Sequence, residues 1–354
     1  MPKNKLSSVR IVGSGLIGTS IGLALVQREV SVQMVDADTK AQSLANDLVG
    51  GVAIANPDLV VLAMPTSQLP AVMKVENGLN PQSTFIDVGS IKNEVVLHVE
   101  GILGLSRRFV PTHPMAGREI GGAGSARADL FQGRSWILTP SPDLEESSKG
   151  LALELIALLG ATPVELTAAD HDRAVAKISH LPQIAASLIA KQLTGTPAEW
   201  MELSGQGLRD TTRIAGSDES LWKEIIYSNR KELHQLLINL QNDVTKMIDS
   251  LNNPEEIGTL IAQGRAGKAL IPGKHGGKAR EYWYLPIVID DKPGQLGAIF
   301  NECAAMEVNV EDLNIEHSPG QLSALITLAL SESDAAKISS HLTSIGWNVH
   351  PIRK

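Results

Sequence analysis

Cysteine is nearly absent: Cys303 is the only one among 354 residues. That excludes an intrachain disulfide framework and cysteine-rich zinc sites, and it suits a reducing compartment. Aromatic residues make up 3% of the chain. Positive charge is also in deficit, with 31 Lys and Arg against 39 Asp and Glu and a formal net charge of −8. Such a balance offers no overall attraction to nucleic acid or to anionic membrane. No apolar run approaches the roughly 18 residues of a membrane span, and residues 1–8 hold no apolar stretch of signal-peptide length. HExxH, GxSxG and Walker patterns are missing, and His171 and His180 are not at paired-ligand spacing, so no metal site is expected. The expected placement is a soluble cytoplasmic protein without membrane or nucleic-acid partners. With 43% apolar residues and this length, two or three ordinary domains with their own cores are expected.

A glycine loop near the start is the first positive signal. Val9-Arg-Ile-Val12 reads as a strand, Gly13-Ser-Gly-Leu-Ile-Gly18 follows, and residues 19–26 have helical apolar spacing. Residues 31–36 read as a second strand ending in Asp36, 23 residues after Gly13. This is the dinucleotide fingerprint: glycines allow the tight turn and close approach to a pyrophosphate, which meets the helix N-terminus, while the acid accepts from the adenine ribose hydroxyls. Gly13, Gly15, Leu16, Ile17, Gly18 and Asp36 are the candidate cofactor residues. Asp36 favours NAD over NADP, although Lys40 is near enough to meet a 2′-phosphate.

Strand and helix patterns alternate as far as residue 166. Candidate strands fall at 10–13, 32–36, 59–63, 84–87, 109–111, 135–139 and 162–165. The continuous apolar run at 59–63 suits a parallel strand covered on both faces. Ligands in such sheets bind beyond the carboxyl ends of the strands, which singles out the loops at 64–66 (with Met64 and Pro65), 88–92 and 112–117. Strand signals then stop. Residues 170–179 and 181–193 read as helices, with Pro182 either in a first turn after a Ser179 cap or kinking one longer helix. Residues 217–251 read as one helix of roughly 50 Å, whose apolar stripe suits mutual burial in a homodimer. Residues 264–280 carry five glycines, five Lys or Arg and no acid. No aromatics interleave the charges, which favours a solvated hinge over a basic docking strip. Residues 281–354 read as a small α+β domain in βαββαβ order, the ferredoxin-like arrangement.

Four polar residues outside the glycine loop carry the chemical argument. His113, in Phe109-Val-Pro-Thr-His-Pro-Met-Ala-Gly117, would stand beside a nicotinamide and take a hydroxyl proton while hydride leaves. Ser90 either orients His113 or the hydroxyl, or N-caps the segment after Ile91, and both can hold. His180, in Ile178-Ser-His-Leu-Pro182, reads as a substrate contact or as a capping or core histidine. A helix N-terminus there would disfavour its charged form. Arg213 has the planar fork for a bidentate grip on a carboxylate or for a structural salt bridge, and Arg209 is one turn earlier.

These stretches resemble the prephenate/arogenate dehydrogenase family of tyrosine biosynthesis. The matching segments are GSGLIGTS at 13–20, DVGSIK at 87–92, HPMAG at 113–117, SHLP at 179–182 and LRDTTRI with Ser217-Asp218. The tail resembles an ACT-type regulatory domain through DKPGQL at 291–296 and Val308-Asn-Val310. The resemblance implies a Rossmann-type α/β nucleotide domain at 1–166, an all-α dimerisation and substrate domain at 167–263, a linker at 264–280 and an α+β regulatory domain at 281–354. It implies NAD as cofactor and prephenate as substrate, with arogenate as the alternative. His113 becomes the catalytic base assisted by Ser90, and His180 and Arg213 hold substrate, with Arg209 nearby. Many members carry a second histidine after SHLP, where this chain has Gln183, also placed at the substrate. A tyrosine effector would sit at Asp291, Pro293, Gly294, Gln295 and Leu296, with Asn309 on a facing strand meeting its amino group. Two other classes compete: a Rossmann 3-hydroxy-acid dehydrogenase, and a non-enzymatic sensor of NAD and an amino acid.

Overall fold

The computed structural model describes residues 6–118, 120–271, 281–317 and 323–354. The chain divides into two compact units, Met1–Asn242 and Asp243–Lys354.

The first unit begins with the expected alternation: β1 (Ser8–Val12), α1 (Leu16–Val26), β2 (Ser31–Val35), α2 (Thr39–Val49), β3 (Leu59–Leu62), α3 (Leu69–Leu79), β4 (Thr84–Asp87), α4 (Asn93–Glu100) and β5 (Phe109–Val110). These strands form one parallel sheet in the order β2-β1-β3-β4-β5. Leu59, Val60, Val61 and Leu62 of the central strand are all buried, as helices on both faces require.

The chain then leaves that sheet, against the expectation of a loop at His113. Thr112–Pro114 forms strand β6, which pairs antiparallel with β7 (Ser135–Leu138). After α5 (Glu146–Leu158), β8 (Thr162–Glu165) pairs parallel with β7, making a separate three-stranded sheet. Pro111 has no N–H to extend β5, so the chain changes sheet there.

Helices follow. α6 (Ala168–Val175) is capped by the Thr167 hydroxyl and runs through a π-turn at Ala176–His180 into α7 (Leu181–Lys191). The two helices read from the sequence are therefore one continuous helical path. Ser179 is no cap, and Pro182 sits within the first turn after the π segment. Short helices α8 (Ala198–Met201) and α9 (Gln206–Thr212) lead to a 3₁₀ turn at Arg213–Gly216. The single helix expected at 217–251 is two: α10 (Glu219–Ser228), capped by Asp218, and α11 (Arg230–Asp249). Asn229 breaks the helix at φ −100°, ψ 19°, buried and with its side chain turned inward.

The second unit contains α12 (Pro254–Lys268), so the first residues of the expected linker are helical, and 272–280 lie outside the described residues. β9 (Trp283–Asp290), α13 (Gln295–Ala305), β10 (Asp312–His317), β11 (Ser323–Leu330), α14 (Glu332–Ser344) and β12 (Asn348–Val349) follow the βαββαβ order. The sheet is antiparallel in the order β10-β11-β9-β12. Alternate residues Leu285, Ile287 and Ile289 of β9 join Ile326 and Leu328 of β11 under Ile299, Cys303, Ile338 and Leu342 of the two helices. No helix among the described residues is long and apolar enough to cross a membrane.

Candidate active site

The carboxyl ends of the parallel strands lie side by side, and the candidate residues follow them. Gly13 adopts φ +111°, and a Cβ there would come 2.2 Å from the Ala63 carbonyl oxygen. A Cβ on Gly18 would lie 2.0 Å from the Gly13 oxygen. These two glycines are obligatory for packing of β1, α1 and the chain after β3. Gly15 differs, since nothing lies within 4 Å of a Cβ placed on it. Open space at the N-terminus of α1, whose first turn has no side-chain cap, leaves backbone amides free to meet a pyrophosphate. The Ser14 hydroxyl beside it is buried without a hydrogen-bond partner. Asp36 follows β2, and its carboxylate accepts the Ser14 amide at 2.5 Å and the Asp38 amide at 2.9 Å. The acid is thereby held against the glycine loop. Lys40 stands exposed in the first turn of α2. Leu16, Ile17 and Met64 are half-buried around this end of the sheet, and Pro65 is exposed. The donors, space and acid fit a dinucleotide.

Next along the sheet edge is Asp87, wholly buried at the end of β4. It is paired with the buried Lys92 ammonium and accepts the Gly89 amide at 2.8 Å and the Thr112 amide at 3.1 Å. Lys92 also donates to the Thr112 carbonyl at 2.6 Å. Burial lowers the Lys92 pKa, and the Asp87 charge opposes that shift. The ion pair therefore clamps Thr112, and with it the adjoining His113, onto the end of β4.

His113 Nδ1 lies 2.9 Å from His171 Nε2, and His171 Nδ1 lies 2.7 Å from the Asp172 carboxylate. That carboxylate also accepts the amides of Lys92 at 2.8 Å and Asn93 at 2.9 Å. Asp172, not Ser90, thus caps α4. Ser90 is half-buried on the turn and makes no side-chain hydrogen bond among the described residues. Burial first, then unfavourable electrostatics with the neighbouring His171, Lys92 and His180, push His113 well below the ordinary imidazole value of 6.5. Asp172 is lowered: burial opposes its charge, but His171 and the two amides outweigh it. His113 is neutral at physiological pH and Asp172 is ionised.

His180 is 1% exposed. Burial lowers its pKa to about 4, partly opposed by Asp172. The cause is desolvation rather than a helix N-terminus, since His180 ends the π-turn within a continuous helical path. Asn229 Nδ2 lies 3.1 Å from His180 Nδ1 and donates to the Asp172 carbonyl at 2.8 Å. Trp222 packs edge-on to the His180 ring at 5.9 Å between centroids. On a regular helix the eight residues from Asp172 to His180 would put the two about 80° apart, whereas the extra residue of a π-turn cuts this to about 20°. Among the described residues no three His, Cys, Asp or Glu side chains group to hold a metal ion.

Gln183 lies buried in α7. It is 5% exposed, and its amide donates to the Ile214 carbonyl at 2.9 Å. It fastens α7 to the turn that begins with Arg213, an exposed residue with Arg209 exposed on α9 one turn earlier. Sequence reading missed His171, Asp172, Lys92 and Asn229. His171 bears on the sequence reading only through its spacing from His180, and the His171-Asp172 dipeptide was the signal that could have found them.

In the second unit Asp291, Pro293 and Gly294 lie exposed on the β9–α13 turn, with Gly294 at φ +92° ahead of Gln295 and Leu296. Asn309 is in the loop before β10 and not on a strand, and its amide donates to Glu311 at 2.9 Å.

Two family profiles match the chain: "Prephenate dehydrogenase, nucleotide-binding domain" over residues 20–165 and "Prephenate dehydrogenase, dimerization domain" over 167–261. A probable prephenate dehydrogenase of Streptomyces niveus is 29% identical over 95% of this chain and 98% of its own. The crystal structure of A. aeolicus prephenate dehydrogenase in complex with hydroxyphenyl propionate and NAD⁺ is 25% identical. It covers 75% of this chain and 98% of its own, with a TM-score of 0.67. Synechocystis arogenate dehydrogenase is also 25% identical over 74% of this chain and 98% of its own, with a TM-score of 0.61.

Proposed function

The chain belongs to the prephenate dehydrogenase family, and we propose that it catalyses the NAD-dependent oxidative decarboxylation of prephenate to 4-hydroxyphenylpyruvate. The observation that carries this is the neutral His113, clamped at the sheet edge with Nδ1 engaged by His171 and Nε2 available. His113 Nε2 takes the proton of the ring hydroxyl. NAD⁺, when bound, accepts the hydride from the same carbon. The ring carboxylate departs as CO₂, and aromatisation drives the step. The amides at Gly15, Leu16 and Ile17 and the Asp36 carboxylate hold the dinucleotide, with Met64 and Pro65 lining it. His180 and Arg213 hold the substrate carboxylates, with Arg209 adding positive charge, and Ser90 meets the substrate hydroxyl. These groups orient rather than react. The test is NADH and CO₂ formation from prephenate and NAD⁺. A chain that reduces NAD⁺ with a 3-hydroxy acid but not with prephenate would refute the assignment.

The working assembly in this proposal is a homodimer. Trp200, Leu203, Leu221 and Tyr227 are largely exposed on the helical region, and such apolar surface is buried in association. The tail, in the same reading, is an ACT-type domain that binds tyrosine at the β9–α13 turn. A cleft of about 340 Å³ lined by Asp290, Gln295, Ala298, Trp347 and Asn348 adjoins that turn. Loss of any tyrosine effect on rate in the full-length enzyme, and of tyrosine binding, would reduce the tail to a structural part.

A further inference from the structure

The two histidines of the site are held by partners of opposite hydrogen-bonding type. Asp172 is an acceptor, so His171 Nδ1 donates to it at 2.7 Å. As the base, His113 must keep its lone pair on Nε2, so its Nδ1 carries the proton and donates to His171 Nε2, 2.9 Å away. The remaining nitrogen of His113 carries no proton. At His180 the logic runs the other way. A carbonyl oxygen only accepts, so the Asn229 atom 2.8 Å from the Asp172 carbonyl is the amide nitrogen, which fixes the orientation of that amide. Its second hydrogen points to His180 Nδ1 at 3.1 Å, so Nδ1 is the lone pair and Nε2 carries the proton.

We propose that His171, Asp172 and Asn229 are positioning residues that assign opposite tautomers to the two site histidines, giving His113 a free lone pair on Nε2 and His180 an N–H on Nε2. The same ring atom is then an acceptor on the residue that must take a proton and a donor on the residue that must hold a substrate oxygen. Asp172 anchors both halves, through its carboxylate toward His113 and through its carbonyl toward Asn229. Its carboxylate also caps α4, so the tautomer of His113 is coupled to the placement of Lys92 and its Asp87 clamp. The helix break at Asn229 and the π-turn before His180, both unexplained by local sequence, are what bring the three groups together. The proposal rests on the reading of His113 as base and His180 as substrate donor.

The test is an imidazole ¹⁵N spectrum of the full-length protein near neutral pH, with His113 and His180 assigned by substitution. His113 should show a protonated Nδ1 and an unprotonated Nε2, and His180 the reverse. Either histidine in the other form overturns the proposal, whatever the enzyme's activity. His171→Leu removes the acceptor and should mix the His113 tautomers. It should lower kcat by a factor on the order of 10² to 10⁴, the upper end being the loss seen when an orienting carboxylate no longer holds its histidine in the right tautomer. KM for NAD⁺ should be unchanged. His171→Gln can accept from His113 and donate to Asp172, so it should recover most of that loss. Equal losses in the two variants would mean that the ring itself, not its hydrogen bonds, matters. In Asn229→Asp the new carboxylate cannot donate, so His180 should invert and KM for prephenate should rise. If that variant does not fold, the wild-type spectrum still decides. Separately, a His113→Asn enzyme that keeps its activity would overturn the catalytic reading while leaving the tautomers intact.

Discussion

His113 and His180 belong to one hydrogen-bonded network, yet the regions that carry them are built differently. His113 sits on strand β6, just past the carboxyl ends of a parallel sheet whose layout follows from local patterns. The buried Asp87–Lys92 pair and two Thr112 backbone bonds hold it there. His180 lies in a helical region where each decisive feature is irregular: a π-turn, a 3₁₀ turn and a break at Asn229. The nucleotide-binding region provides a rigid edge, and the helical region wraps it with His171, Asp172 and His180. In the proposed mechanism, rigid placement suits the group that takes a proton, because its geometry sets the rate, and the helical groups would choose and orient what reaches it.

Substitutions on the two sides should separate these roles. The largest effect is expected on the sheet side. His113→Asn should lower kcat by about 10²–10⁴-fold, the usual cost of losing a general base, with NAD⁺ affinity unchanged in a direct binding measurement. Activity within threefold of wild type would remove His113 from the chemistry. Next comes Arg213→Ala on the helical side. A lost carboxylate grip of about 2–4 kcal/mol should appear as a rise in prephenate KM of about 30-fold or more. If NAD⁺ affinity collapses instead, Arg213 serves the cofactor site or the fold, and the division between the regions fails.

A smaller change is expected at Asp36. Its carboxylate is held against the glycine loop, where it would repel a 2′-phosphate. The wild type should prefer NAD⁺, and Asp36→Ser should narrow the gap to NADP⁺ in kcat/KM. Equal efficiency with both cofactors in the wild type would contradict this.

The smallest effect is one of stability. A histidine whose folded pKa lies near 4 instead of 6.5 is held neutral by burial. Below pH 6.5 the unfolded chain binds the proton first, so stability is complete above that pH and is lost as pH falls toward 4. The contribution is on the order of 3 kcal/mol at most. Denaturant titrations at several pH values should show a shallower loss over that window in His180→Gln than in wild type. Parallel slopes would mean that His180 is not buried in its neutral form.

The glycine loop and Asp36 were legible because each depends on neighbours in sequence. Gly13, Gly18 and Asp36 act within one strand–turn–helix–strand unit. His113 was not legible as structure, since two flanking prolines read as a loop and β6 forms only by pairing with β7. Ser90 was read as a possible cap because a serine beside a helix start usually is one, but Asp172, 80 residues away from Lys92, takes that position. The long helix at 217–251 kept its apolar period through residue 229. Nothing local reveals that Asn229 turns inward to meet Asp172 and His180, because that choice is made by tertiary hydrogen bonds. The bond from the Gln183 amide to the Ile214 carbonyl is likewise tertiary and has no local signal.

The central claim, that His113 works as a neutral base held by groups from both regions, is tested most directly by the pH dependence of kcat/KM for prephenate. The groups facing His113 are Lys92, His171 and His180, with Asp87 and Asp172 behind them. The base must be unprotonated, so kcat/KM should rise with pH through the depressed His113 value and be level from there into the neutral range. The account predicts an inflection well below 6.5. An inflection at or above 6.5, or a rate that falls as pH rises toward neutrality, would contradict it.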